Sequence, residues 1–295
     1  AMRRILRLVE KVAETDANVL ITGENGTGKE VMAREIHRRS LRRDELMVAV
    51  DMGALPESLF ERELFGHCKG AFTDAHTDRI GKFEIAQGGT LFLDEIGNLS
   101  YHLQAKLLSA IQSRTIVRVG SNRSVETDVR LICATNQNLQ AMVAQERFRR
   151  DLLYRINTIH IEIPPLRQRR EDIVPLARLF LEKYAAKYGK QGIRIDGEAC
   201  RKLQEYDWYG NIRELQHTVE KAVIICDSMT IGQESLLMTP QQEEPNAGGV
   251  STLEEMERNM IRQAIRLHES NMSAVAAQLG ITRQTLYNKI KKYGL

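Results

Sequence analysis

The stretch GENGTGKE, Gly23–Glu30, directly follows the apolar run NVLIT and opens the helical pattern EVMAREIHRR. Glycines at this spacing let the backbone wrap around phosphate groups. The amides at the start of the following helix donate to the same anion, and Lys29 reaches the β and γ oxygens. A chance Gly-rich turn is the bland alternative. The strand before, the helix after and the full spacing argue against it. A loop of this kind needs a strand to deliver it and a helix to carry it away, so the motif demands an α/β fold.

The rest of the first half agrees. MVAVD, TLFLDE, VRLICATN and IHIEIPP alternate with helical patterns. Apolar runs without alternation fit strands buried on both faces, and the intervening helices make the sheet parallel. After Pro164 and Pro165 the strand signal stops. We therefore expect an α/β subdomain over 1–168 and a smaller, purely helical lid over 169–238. TPQQEEPNAGGVST, 239–252, reads as a flexible linker. The segment 253–295 is helical again, and no internal repeat is present.

A chain of 295 residues is long enough for two or three domains. No apolar run approaches the roughly 20 residues that span a bilayer. The start AMRRILRLVEKVAE is charged and amphipathic, unlike a signal peptide. Cys68, Cys133, Cys200 and Cys226 are scattered without metal-ligand spacing, which leads us to expect reduced thiols and a cytoplasmic protein. The net charge of +3 decides little, but its distribution is informative. From Asn271 to Leu295 there is no acid, while Arg283, Lys289, Lys291 and Lys292 are present. A one-signed tail fits an anionic partner better than a solvated face.

Around the phosphate loop the sequence offers further groups. Glu30 stands where Ser or Thr would ordinarily touch Mg²⁺, so a metal needs another ligand. TLFLDE delivers Asp94 and Glu95 to the carboxyl end of a strand, where ligands sit in open α/β sheets. Asp94 can hold the Mg²⁺ shell, and Glu95 can orient or deprotonate the attacking water. Thr135 and Asn136 end another strand and could sense a γ-phosphate, although a capping role is equally ordinary. ERFRRDLLYRIN presents Arg149, Arg150 and Arg155, which composition alone would leave as a solvated helix face. In WYGNIREL, Arg213 lies near the start of a lid helix and could lean over the nucleotide.

KGAFTDAHTD, Lys69–Asp78, shows neither helical nor strand periodicity, and its Phe72 is expected to be exposed at a loop tip. ELFGHCKGAFTDA resembles the ELFGHEKGAFTGA of the bacterial enhancer-binding proteins, the NtrC-like AAA+ ATPases that activate sigma-54 RNA polymerase. With the other motifs in the same order, the resemblance covers nearly the whole chain. It implies an ATP- and Mg²⁺-dependent ATPase working as a homo-oligomer, from a dimer to a hexameric or heptameric ring. It further implies that the loop Gly70, Ala71, Phe72, Thr73, Asp74 and Ala75 contacts sigma-54 in the RNA polymerase holoenzyme.

Position by position, Gly23, Glu24, Asn25, Gly26, Thr27, Gly28, Lys29 and Glu30 resemble Walker A. Asp94 and Glu95 resemble Walker B, and Thr135 and Asn136 sensor I. Arg149 and Arg155 are similar to the arginine fingers that act on a neighbour's nucleotide, and Arg213 to sensor II. Three positions depart from the family: Asp74 replaces Gly, Tyr209 replaces Pro, and Asp51 replaces the Asn that couples Glu95 to the loop. Were Asp51 to approach Glu95, the two carboxylates would repel or share a proton.

The tail NMSAVAAQLGITRQTLYNKIKKYGL reads as helix, tight turn at Gly280, helix. Val275, Leu279, Leu286 and Ile290 would pack the two helices, and Thr282 would cap the second. Thr282, Arg283, Gln284, Tyr287, Asn288 and Lys289 are candidates to face double-stranded DNA in the major groove. A plain helical hairpin is the alternative, and resemblance to the Fis-type DNA-binding domain opposes it. The start at Ala1 rather than at a methionine suggests an upstream sensory or receiver domain. The expected function is that of a sigma-54-dependent activator, the output part of a response regulator. The rivals are a DNA-binding regulator without sigma-54 contact and an AAA+ remodeller of another protein.

Overall fold

The five apolar runs pair in register as one parallel sheet. In this computed structural model, residues 2–238, 257–258, 260–262, 264–265, 268 and 271–293 are described. The strands are β1 (Val19–Thr22), β2 (Met47–Asp51), β5 (Thr90–Asp94), β8 (Arg130–Thr135) and β9 (Ile159–Glu162). Their spatial order is β2-β5-β8-β1-β9.

The lack of alternation has the expected cause. Successive side chains point to opposite faces, and both faces of the inner strands β1, β5 and β8 are covered, while the edge strands β2 and β9 keep exposed positions. Val19, Ile21, Phe92 and Ile132 pack with Val9 and Val12 of α1 (Met2–Ala13) and Met32 and Ile36 of α2 (Lys29–Arg38). Their neighbours Leu20, Leu91, Leu93 and Leu131 turn the other way. There they meet α3 (Glu57–Phe65), α5 (Tyr101–Ser113) and α7 (Arg150–Ile156) through Phe60, Leu107 and Leu152. Burying an aliphatic or aromatic side chain contributes about 1.5–3 kcal/mol, so replacing any of these core residues by a polar one would be costly.

Two small antiparallel pairs hang beside this sheet, and the strand pattern had not indicated them. They are β3 (Gly66–His67) with β4 (Arg79–Ile80), and β6 (Thr115–Val117) with β7 (Ser124–Glu126). The remaining short helices are α4 (Lys82–Ile85) and α6 (Leu139–Ala144).

The lid has its own core, built on Leu166, Ile173, Leu181, Trp208, Leu215 and Val223. It consists of α8 (Ile173–Lys187), α9 (Gly197–Glu205) and α10 (Asn211–Ile225). The all-helical expectation needs one correction: β10 (Arg194–Ile195) and β11 (Thr230–Ile231) form a parallel pair. Two-residue strands lack the length for a periodic signal.

A separate compact unit lies within 239–295. In it, α11 (Met272–Gln278) and α12 (Arg283–Tyr293) share a core of Ile261, Ala264, Val275, Ala276 and Leu286, with Leu279 and Ile290 packed against it. Asn271 caps α11 by accepting the amides of Ser273 and Ala274. Gly280, with φ +65°, makes the turn, and Thr282 Oγ1 accepts the Thr285 amide at 3.2 Å to cap α12. The linker expected at 239–252 lies outside the described residues. All four cysteines are free thiols. Among the described residues no helix is long and apolar enough to cross a membrane.

Candidate nucleotide site and contact loop

The phosphate loop lies between the end of β1 and the start of α2, and the lid presses directly on it. Gly26 has φ +75°, and a Cβ there would lie 2.3 Å from Gly210 O and 3.0 Å from Arg213 Cβ. Only glycine admits both the conformation and the approach. Ile212, in the first turn of α10, donates its amide to Gly26 O at 2.9 Å. The cavity beside the loop holds about 650 Å³, the scale of a nucleotide. Its polar wall includes Thr27, Lys29, Asp94, Glu95, Arg169 and Arg213, and its apolar rim includes Met2, Leu6, Ile163, Leu176, Phe180 and Ile212.

Lys29 is buried, and its Nζ donates to Gly23 O at 3.1 Å and lies 3.3 Å from Glu95 Oε1. The other carboxylate oxygen of Glu95 accepts the Asn136 amide at 3.2 Å, and Asn136 Nδ2 donates to Asn25 Oδ1 at 2.9 Å. Glu95 has φ +52°, and its amide donates to Asp94 Oδ1. A non-glycine residue in that region is held there by its surroundings. Asp94 is half-buried and has no ion pair among the described residues. Burial pushes its carboxyl above the ordinary range, and the nearby charges of Glu95 and Asp51 act in the same direction.

The sequence candidates divide here. Asn136 joins the polar chain around Glu95. Thr135 is fully buried, and its hydroxyl accepts the Gln137 amide at 3.1 Å while its carbonyl accepts the Gly23 amide. Thr135 thus braces the phosphate loop from behind. Glu30 pairs with Arg34 at 2.7 Å on the exposed side of α2. Asp51 sits opposite Asp94 in the strand register, and its Oδ1 accepts the amides of Gly53 and Ala54 at 2.8 and 3.3 Å. Its charge also acts on Asp94.

Arg149 and Arg155 are not brought to this cavity. Arg149 precedes α7, binds Asp151 at 2.8 and 3.1 Å and stacks 5.6 Å over Tyr101. Arg155 Nη2 donates to Ile111 O at 3.3 Å.

The loop Gly70–Ala75 is closed by Gly70 N donating to Ala75 O and Ala75 N to Phe72 O, at 2.8 and 3.0 Å. The turn at Gly120 approaches so closely that a Cβ there would lie 2.6 Å from Ala71 Cβ. Phe72 corrects the expectation of an exposed ring. It is half-buried, 4.9 Å from the His67 ring and 5.3 Å from Arg62 Cζ. An apolar ring beside an aromatic and a guanidinium recovers contacts it would lack in water. Thr73 and Asp74 are exposed.

Residues 1–162 match the family model described as the Sigma-54 interaction domain. The chain belongs to the sigma-54 activator family. It is an AAA+ P-loop ATPase: residues 167–252 match the AAA+ ATPase lid domain, and 252–293 match the Fis family of bacterial regulatory proteins. The Klebsiella oxytoca transcriptional regulatory protein ZraR is 46% identical over 99% of this chain and 67% of its own length. The Escherichia coli regulatory protein AtoC is 45% identical, over 100% of this chain and 66% of its own. The chain therefore spans about two thirds of these relatives. The structure of Brucella abortus NtrX in complex with ATP superposes with a TM-score of 0.75 at 32% identity, covering 100% of this chain and 68% of that one.

In this activator's second unit, Arg283, Gln284, Tyr287 and Asn288 lie on the open face of α12. Lys289 needs a correction. It is half-buried and ion-paired with Glu257, which also accepts the Tyr293 hydroxyl at 2.6 Å. The acid that neutralises it lies upstream of the acid-free stretch.

Several site residues carried no recognisable motif. Glu24 is held by Arg167 Nη1 at 2.8 Å, and Asn211 Nδ2 donates to Glu24 Oε2 and Asn25 O at 3.1 and 3.0 Å. Arg169 Nη2 donates to Thr27 O at 2.9 Å. These bonds tie the lid to the phosphate loop across more than 140 residues, beyond the reach of local spacing.

Proposed function

We propose that this sigma-54 activator binds upstream DNA and uses ATP hydrolysis in a ring of its own copies to remodel the closed complex of sigma-54 RNA polymerase. The observation that carries this reading is the division of the ATPase groups. Lys29, Asp94 and Glu95 share one cavity, whereas Arg149 and Arg155 lie outside it. A second copy would supply them, and six or seven copies would close the ring.

Within one subunit, the amides of Gly26 to Glu30 and Lys29 hold the phosphates, Glu95 orients and deprotonates the attacking water, and Asn136 fixes Glu95. Asp94 is the group that would hold Mg²⁺, because it is a half-buried carboxylate at the phosphate loop with no direct ion pair among the described residues, Lys29 acting on it only from a distance. Mg²⁺ would neutralise phosphate charge there. Arg213 would close over the nucleotide from the lid. The working parts are 1–168, the ATPase subdomain; 169–238, the lid; 239–252, the linker; and 253–295, the DNA-binding domain. Gly70–Ala75 would engage sigma-54, while Thr282, Arg283, Gln284, Tyr287 and Asn288 would face DNA. We place the protein in the cytoplasm as the output part of a two-component response regulator.

The test is open-complex formation by sigma-54 polymerase on a promoter carrying the cognate upstream site. Open complexes should form with ATP and fail with a non-hydrolysable analogue. Hydrolysis without open complexes would favour a remodeller of another protein. DNA binding without sigma-54 contact would favour the other rival.

A further inference from the structure

Arg169 lies between the short 3-10 turns Leu166–Gln168 and Arg170–Asp172, where the chain leaves β9 for the lid. Its side chain is 3% exposed and lines the nucleotide cavity. Nη2 donates to Thr27 O at 2.9 Å, and Nε is buried without a partner. No carboxylate forms a direct ion pair with it among the described residues, and the charges of Asp172 and Glu171 act on it only from a distance. Arg130, the other deeply buried arginine, also has an unpartnered Nε but differs in the rest of its guanidinium. Its Nη1 and Nη2 both end on carbonyls of α1, those of Ala13 and Val12, where the negative end of a helix dipole lies.

A buried cation without a directly paired counter-charge is costly and persists where something balances it. Burial already pushes the guanidinium below its ordinary range. The cavity that Arg169 borders is the candidate nucleotide site, and a polyphosphate there would be an anion in direct reach. We propose that Arg169 is a nucleotide-binding residue, a buried counter-charge for the polyphosphate that also pins Thr27 O so that the adjoining amides turn inward. This rests on the nucleotide site described above. It makes the lid–sheet junction ligand-dependent, because the cost of the buried charge is relieved when the phosphates arrive.

The test uses the full chain, with ADP and adenosine as probes. Arg169→Met should bind ADP at least about tenfold more weakly, the loss of one charge-assisted contact, while adenosine affinity stays within about twofold. Its melting temperature without nucleotide should equal or exceed that of the unmutated protein, and the rise on adding ADP should shrink. The KM for ATP should increase more than kcat falls. Equal losses for adenosine and ADP, or unchanged ADP affinity, would overturn the proposal. Should Arg169→Met fail to fold, Arg169→Lys and Arg169→Gln carry the same comparison. The lysine variant should keep ADP affinity within about threefold and the glutamine variant lose at least about tenfold. Equal affinities for those two would also overturn it. Unmutated protein that binds no ADP would remove the nucleotide reading and this proposal together. Unmutated protein that binds ADP, with a methionine variant of equal affinity, would remove the proposal alone.

Discussion

Lys29 Nζ lies 3.3 Å from Glu95 Oε1, so the phosphate-loop cation and the carboxylate at the end of β5 belong to one polar cluster. The second oxygen of Glu95 is held by the Asn136 amide. A base fixed this way loses its function when truncated, while the loop that binds phosphate stays intact. Glu95→Ala should therefore retain ATP but turn it over at least about a hundredfold more slowly, in line with general-base contributions. A near-normal rate in a steady-state ATPase assay would refute the assignment.

Asp94 makes a prediction about pH. Its folded-state pKa is raised above the ordinary 3.8 by burial, so folding favours the protonated form. The stability from this group is fully present below the unfolded pKa and is lost as pH rises through the folded one. Asp94→Asn should remove that loss. Its melting temperature without Mg²⁺ should match the unmutated protein near pH 3.8 and exceed it progressively above. Mg²⁺ with nucleotide should stabilise only the unmutated protein. A variant melting lower at neutral pH would contradict this account.

The positions of Arg149 and Arg155 imply an ATPase assembled between subunits. Arginine fingers are worth about 10³–10⁵ in rate where measured. Specific activity should rise with protein concentration. Mixing Arg155→Ala protein with Lys29→Ala protein should restore some turnover through mixed interfaces. Activity per subunit that stays flat on dilution to monomer would exclude the arrangement.

How far the sequence could be read follows from the range of each interaction. The three inner strands β1, β5 and β8 were legible because burial on both faces writes an unbroken apolar run, as in TLFLD, while the edge strands β2 and β9 keep exposed positions. Lys29 and the loop glycines were legible because their chemistry fixes short spacings. The bracing role of Thr135 was not, since its identity says nothing of which way its hydroxyl turns. Arg167, Arg169 and Asn211 act on residues more than 140 positions away. The half-buried state of Phe72 depends on Arg62 and on His67, whose own neighbours come from a separate hairpin.

The same reasoning separates two basic residues of α12. Arg283 is exposed, whereas Lys289 is paired with Glu257. Arg283→Ala should weaken DNA binding, and Lys289→Ala should chiefly lower the melting temperature of the tail. A dimer making about 6–10 phosphate contacts should lose on the order of 10³–10⁵ in affinity between 50 and 200 mM salt. Removing residues after Pro240 should abolish site-specific binding and leave ATPase activity. Fluorescence anisotropy on labelled DNA across a salt series measures all three proteins. Unchanged affinity after truncation would overturn the assignment of DNA binding to the tail.

Phe72 rests 4.9 Å from His67 and 5.3 Å from Arg62, so its replacement should have a small structural cost as well as a functional one. An aromatic contact and a cation–π contact are each worth about 0.5–1.5 kcal/mol. For a domain of this size that lowers the melting temperature by roughly 2–4 °C per kcal/mol. Phe72→Ala should show that modest drop, keep its ATPase activity and fail to engage sigma-54. Asp74 is exposed beside it, in a turn that Asp tolerates better than most residues. Asp74→Gly should therefore change activation little. The deciding measurement is sigma-54 binding in the presence of an ATP transition-state mimic. If the unmutated protein forms no complex and Asp74→Gly binds well, the negative charges around the ring disfavour sigma-54. The chain would then be a DNA-binding regulator that has lost this contact.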